Sequence, residues 1–174
     1  MADRRGTVQP YAAEEFPNLF TEPVCSVVAL DVERTFWEKA TILHEEAHRP
    51  PDNVLPPRYS RHYYDLALLA ASPVKKRAFG QLDLLSRVIQ HKKFFFRRSW
   101  SNYDAARPGT FRLLPASERI AELKRDYNKM TVMIFGEPPA FDSLLESLGK
   151  LEAEINVTAQ FSASEAAGAF GVHH

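Results

Sequence analysis

The stretch from Thr35 to Leu69, TFWEKATILHEEAHRPPDNVLPPRYSRHYYDLALL, constrains the chain most. Phe36, Ala40, Leu43 and Ala47 recur at helical spacing, so the first part predicts a helix with one apolar face. Thr35 with Glu38 three residues on fits a capping box, and Pro50 and Pro51 stop the run. A second helix is predicted from Ser60 as N-cap, with Tyr64, Ala67, Leu68 and Ala71 as its buried stripe and Pro73 as its end. Neither helix is stable alone in water, so each must lie against a partner. The same two helices carry Lys39, His44, Glu45, His48, Arg61, His62 and Asp65, which a packed core does not want.

The remainder supplies those partners. Val74 to Phe96 reads as one long helix with Phe79, Leu82, Leu85, Ile89 and Phe96 on one side. A connector with a short helical turn follows over Arg97 to Pro115. A helix over Glu118 to Met133 carries Ile120, Leu123, Tyr127 and Met130 and is closed by Gly136. The last helix spans Phe141 to Ile155. Ahead of them, Val24 to Leu30 is the one clear strand, apolar on both faces apart from Ser26, as in a strand buried inside a sheet. Gly6 to Tyr11 or Thr110 to Leu114 are the segments available to pair with it. The expected fold is mainly α (α+β): an extended lead-in and edge strand over 1–31, a bundle-like helical domain over 32–157, and a disordered tail over 158–174.

With 174 residues, 45% of them hydrophobic, the chain can bury a real core. Its net charge of zero gives no general attraction to nucleic acid or acidic membranes, so any electrostatic site must come from local segregation. A single cysteine excludes an internal disulfide framework. No run approaches the roughly 20 apolar residues of a membrane span. With no charged-then-apolar leader in view, the expected location is the cytoplasm.

Three patterns bear on chemistry. His44-Glu45-Glu46-Ala47-His48 fits H-E-x-x-H, which on a helix sets two imidazoles one turn apart to grip zinc with the glutamate as general base. Against it, Pro50 and Pro51 end the helix just beyond His48, and no third ligand stands out. Arg61, His62 and Asp65 share one helical turn. They read either as a surface ion pair worth a few tenths of a kcal/mol, or as a carboxylate aimed into a cleft with Lys39 opposite it to neutralise phosphate. From Lys75 to Arg98 there are eight lysines and arginines against one acid, and HKKFFFRRSW interleaves them with aromatics. Basic groups hold phosphates while rings stack on unpaired bases, which makes Lys92 and Lys93 phosphate-binding candidates and the chain a candidate RNA-binding module. The alternative is that Phe94 to Phe96 are core and the charges a solvated face.

The strings VVALDVERTFWEKATILHEEAHRP and RYSRHYYDLALLA, followed by HKKFFFRRSW, LKRDYNKM and LEAEIN, resemble the C-terminal half of the AbiEii/AbiGii toxin family of nucleotidyltransferases. The resemblance runs from about Pro10 to Asn156. It implies a bacterial toxin of a toxin–antitoxin or abortive-infection system, which moves a nucleotide from a nucleoside triphosphate to an acceptor, tRNA in some relatives, with Mg2+. The family's lysine motif is matched by Lys39 in ERTFWEK and its aspartate motif by Asp65 in SRHYYD; Arg61 and His62 stand beside them. The family's Gly-Ser turn and magnesium-binding Asp-x-Asp pair have no counterpart in this sequence. The resemblance therefore implies a split or truncated member, inactive by itself. Its strand is left as an exposed edge that seeks a second copy, a separate N-terminal half or another partner, and a cognate antitoxin is encoded nearby.

Overall fold

A computed structural model describes residues 3–168, with side chains from 5 to 158. Its hub is α2 (Val32–Ala47), buried nearly all round: Phe36, Trp37, Ala40 and Leu43 are fully enclosed, and so are Thr41 and His44. Packed on it are α3 (Arg61–Ala71), α4 (Val74–Phe79) and α5 (Leu82–Phe95). Beyond α3 lies α7 (Phe141–Gly168). The helix α6 (Ile120–Met130) adds Leu123, Tyr127 and Met130 to the same core, and Tyr127 meets Phe141 at 5.5 Å between ring centroids. Burying Trp37 and Phe36 stabilises this assembly by roughly 2–3 kcal/mol each.

The helical pattern was legible, but its details were set by neighbours. α2 begins at Val32, three residues before the predicted cap, because the Arg34 and Thr35 amides already bond the Asp31 carbonyl. Glu38 is held by Arg34 at 2.9 Å and does not reach back to Thr35. Ser60 does mark the start of α3, yet its hydroxyl donates to Asp126 Oδ2 at 2.6 Å instead of capping the helix. The buried stripe of α3 is His62, Tyr63, Leu66 and Ala67, with Leu68 half exposed, so the helix is turned from its predicted face. Packing between α2 and α7 decides this, because only this rotation brings His62 onto α2.

The predicted long helix over Val74 to Phe96 is two helices, broken at Gly80 and Gln81. The break lets α4 fold over Trp37: the indole Nε1–H donates to the Ala78 carbonyl at 3.1 Å, and Phe79 stacks on the Trp37 ring at 6.1 Å. Phe96 falls outside α5 and is exposed. The connector over 97–116 is strapped down by side chains from two helices. Asn156 bonds Phe111 in both directions, Glu152 accepts from the Leu113 and Leu114 amides, and His44 receives the Arg112 amide.

Among the described residues the β structure is one antiparallel ribbon, β1 (Asp3–Val8) with β2 (Cys25–Leu30), in a register that pairs Arg5 with Val28 and Val8 with Cys25. The pairing segment overlaps Gly6 to Tyr11; Thr110 to Leu114 is not involved. Between the strands lie α1 (Tyr11–Glu15) and a single turn over Pro17–Leu19. Of residues 5–31 only Ala13 is buried. At the other end α7 continues to Gly168, past Ile155 where its periodicity ended, and the rest of the tail expected over 158–174 lies outside the described residues. Among the described residues no helix is long and apolar enough to cross a membrane.

Candidate active site

Lys39 lies on the flank of α2 that faces α3, and Asp65 lies on α3 one turn after His62. The Lys39 Nζ donates to Asp65 Oδ2 at 2.6 Å and approaches His62 Nδ1 at 3.1 Å. Since an ammonium only donates, Nδ1 is the acceptor and the His62 proton sits on Nε2. Burial, with the Lys39 and Arg61 charges, pushes His62 down to about 4, which keeps it neutral and able to accept. The cluster is half-buried, with the Lys39 and Asp65 side chains 21% and 38% exposed, so both can reach a ligand. Arg61 points outward next to Asp65, in a shallow groove it shares with Arg58, Tyr64 and Met133.

Next to the cluster, but lined by none of Lys39, His62 and Asp65, opens a cleft of about 330 Å³ whose walls include Glu38, Tyr59, His91, Lys92, Phe96 and Arg98. Tyr59 joins the two: its ring stands edge-on to His62 at 4.9 Å and also faces the cleft. Lys92 is buried, and its Nζ donates to the Glu38 carbonyl at 3.2 Å, one residue from Lys39. Burial lowers this ammonium to about 8 against the pull of Glu45 and Glu38, so it is charged at neutral pH. Lys93, predicted beside it, leaves on another face, where it pairs with Asp104 in a polar trough with Arg97 and Arg98. Lys39, His62, Asp65 and Lys92 are therefore gathered around one region, and Lys93 is not.

The H-E-x-x-H residues serve the scaffold. His44 Nε2 donates to the Asn102 carbonyl at 3.1 Å and Nδ1 accepts from the Arg112 amide at 3.0 Å, so both nitrogens hold the connector against α2. His48 Nδ1 donates to the His44 carbonyl at 2.7 Å, and its Nε2 is met by Asn102. Glu45 is taken by Tyr103 at 2.6 Å and Arg98 at 3.0 Å. Burial lowers His44 to about 4, and the His48 and Arg112 charges add to the effect. A zinc ligand needs a lone pair that these bonds already use. The Mg2+ implied by the family resemblance finds no donor set at Lys39 either: Asp65 is engaged by the ammonium, and among the described residues no three His, Cys, Asp or Glu side chains converge.

Tyr59 and Asp126 are not singled out by the sequence, and Glu38, His91, Phe96 and Arg98 stand out there only as a capping residue and as members of the HKKFFFRRSW run, not as walls of a cleft. Asp126 accepts from the Arg58 amide at 2.7 Å, the Ser60 amide at 2.9 Å and the Ser60 hydroxyl. It thereby fixes Arg58 at φ 60 and the loop that launches α3. A lone aspartate on a helix whose partner is 66 residues away leaves no periodic trace.

Comparison with curated proteins and with solved structures gives no match. A family model described as "Nucleotidyl transferase AbiEii toxin, Type IV TA system" matches residues 3–147, most of the chain and both helices of the Lys39 and Asp65 cluster. The chain belongs to this family of nucleotidyl transferase toxins of type IV toxin–antitoxin systems.

Proposed function

We propose that this chain carries the triphosphate-handling side of an AbiEii-type nucleotidyltransferase site, with Lys39 and Asp65 as its catalytic pair and tRNA as the acceptor, acting in the bacterial cytoplasm. The observation that carries the reading is the Lys39 Nζ to Asp65 Oδ2 contact of 2.6 Å, made between two helices, with Asp65 opening on the groove it shares with Arg61. An ammonium there neutralises charge on the leaving pyrophosphate. Lys92 in the cleft, and Arg61 beside Asp65 in the neighbouring groove, add positive charge, and His62 orients Lys39 by accepting a hydrogen bond from it. As the triphosphate engages Lys39, Asp65 is released to accept the proton of the acceptor hydroxyl, whose oxygen bonds the α-phosphorus while the bond to pyrophosphate breaks.

The sequence contains no Asp-x-Asp pair, and no step is assigned to magnesium at these residues. The residues of this sequence alone are therefore expected to transfer nothing, and the metal-binding carboxylates are expected from outside them. The direct test is calorimetric titration with a non-hydrolysable nucleoside triphosphate. Wild-type chain is expected to bind, and Lys39→Met to bind at least tenfold more weakly. Equal binding by both removes Lys39 from the site. Incubation with tRNA, labelled nucleotides and magnesium is expected to leave the tRNA unlabelled, and robust labelling would place the metal carboxylates within this chain.

A further inference from the structure

Phe94, Phe95 and Phe96 are exposed at 80%, 63% and 56%, which removes them from the core. Their rings form a continuous run. Phe94 meets Phe95 edge-on at 4.7 Å, Phe95 lies 4.7 Å from His91, and His91 lies 5.9 Å from Phe96. His91 and Phe96 are walls of the cleft that Lys92 and Glu38 also line, so the run leads from solvent into it.

Next to it in sequence lies the trough of about 400 Å³ that holds Lys93, Arg97, Arg98, Asn102, Tyr103 and Asp104. Arg98 and Tyr103 border both hollows. Arg97 is exposed and makes no ion pair among the described residues, whereas Lys93 and Arg98 are each matched by one carboxylate. A row of aromatic faces next to a trough with surplus positive charge suits a polymer that alternates flat bases with phosphates. A paired helix hides its base faces and cannot use the rings.

The geometry points to Phe94–Phe96 and the Arg97 trough as the docking surface for the unpaired end of an RNA acceptor, which stacks on the rings and enters the cleft toward Lys39 and Asp65. This rests on the reading of that cluster as a nucleotidyl-transfer site. Partner charge selects the occupant: an apolar protein segment would meet the rings but leave Arg97 and the trough unmatched.

The test is fluorescence anisotropy of the full chain with a fluorescein-labelled twelve-nucleotide single-stranded RNA, and with the same strand annealed to its complement. The single strand is expected to bind at least tenfold tighter than the duplex. Phe94→Ala/Phe95→Ala should bind it at least tenfold more weakly with an unaltered melting temperature, because both rings are at the surface. Arg97→Ala should flatten the dependence of log affinity on log salt by about 0.7, the value for one phosphate contact on a single strand. Equal affinity for the two RNAs, unchanged binding by the double variant, or no RNA binding overturns the proposal. RNA binding in a chain that fails to bind nucleoside triphosphate leaves this surface standing and removes the nucleotidyl-transfer reading alone.

Discussion

Lys39 has three protons to donate and gives two of them inside the protein, to Asp65 and His62. Its pair with Asp65 is solvent-screened, so removing it costs folding only about 1 kcal/mol or less. Lys39→Met should therefore keep a near wild-type denaturation midpoint while losing triphosphate binding, and a large loss of stability would mark the pair as structural. Acid reveals the two buried histidines. The ordinary value of 6.5 falls to about 4 for both His44 and His62, so protons bind the unfolded chain more readily than the folded one. Their stabilisation is complete above pH 6.5 and is lost as pH falls through 4, on the order of 3 kcal/mol each at most. Glu46 works in the opposite sense, since burial raises it despite Arg49, so the net acid loss is smaller than the sum. Urea midpoints at pH 7 and 4.5 should show this loss, and His62→Gln should lose less; a flat profile for wild type would contradict the buried, neutral imidazoles. The residue types at this site were legible because an ammonium and a carboxylate stand out on amphipathic helices. That His62 faces inward was not, because a histidine in an apolar stripe reads equally as a surface group.

At the level of elements, periodicity located every major helix but missed the interruption between α4 and α5. Leu82, Leu85 and Ile89 continue the spacing of Phe79, and nothing in that pattern records that Trp37, 41 residues earlier, draws the Ala78 carbonyl to its indole. Gly80 is not the cause. It sits at φ −71 and ψ −2, ordinary helical space, and a methyl group there would meet only the Arg77 and Lys76 carbonyls at 3.5 and 3.8 Å. Gly80→Ala should consequently stabilise the protein by about 0.4–1 kcal/mol by restricting the unfolded chain, seen as a rise of a few degrees in melting temperature. If glycine itself makes the break, alanine would extend α4 into α5 and lower the melting temperature instead. The other illegible device is Asp126. Burial raises its carboxyl, but the hydrogen bonds from Ser60 and Arg58 outweigh this and hold it below the usual range. The start of α3, and with it the position of Asp65 relative to Lys39, thus depends on a side chain from α6.

Taken whole, the molecule joins a well-packed set of helices to an N-terminal ribbon that packs on almost nothing. The strand composition VCSVVAL belongs to a sheet covered on both faces, yet Val28 is 67% exposed and Leu30 47%, and among the described residues each strand has one edge without a neighbour. Such an edge recruits another strand, because unpaired amides and carbonyls beside apolar side chains are served better by a partner than by water. The ribbon should accordingly drive association that rises with protein concentration, measured by sedimentation or light scattering. Val28→Lys places a charge on the exposed face and should weaken that association at least tenfold. The same substitution should leave the melting temperature of the helical part unchanged, since the core around α2 contains no ribbon side chain. A strictly monomeric wild-type chain at all concentrations would show that the ribbon does not recruit its own copies.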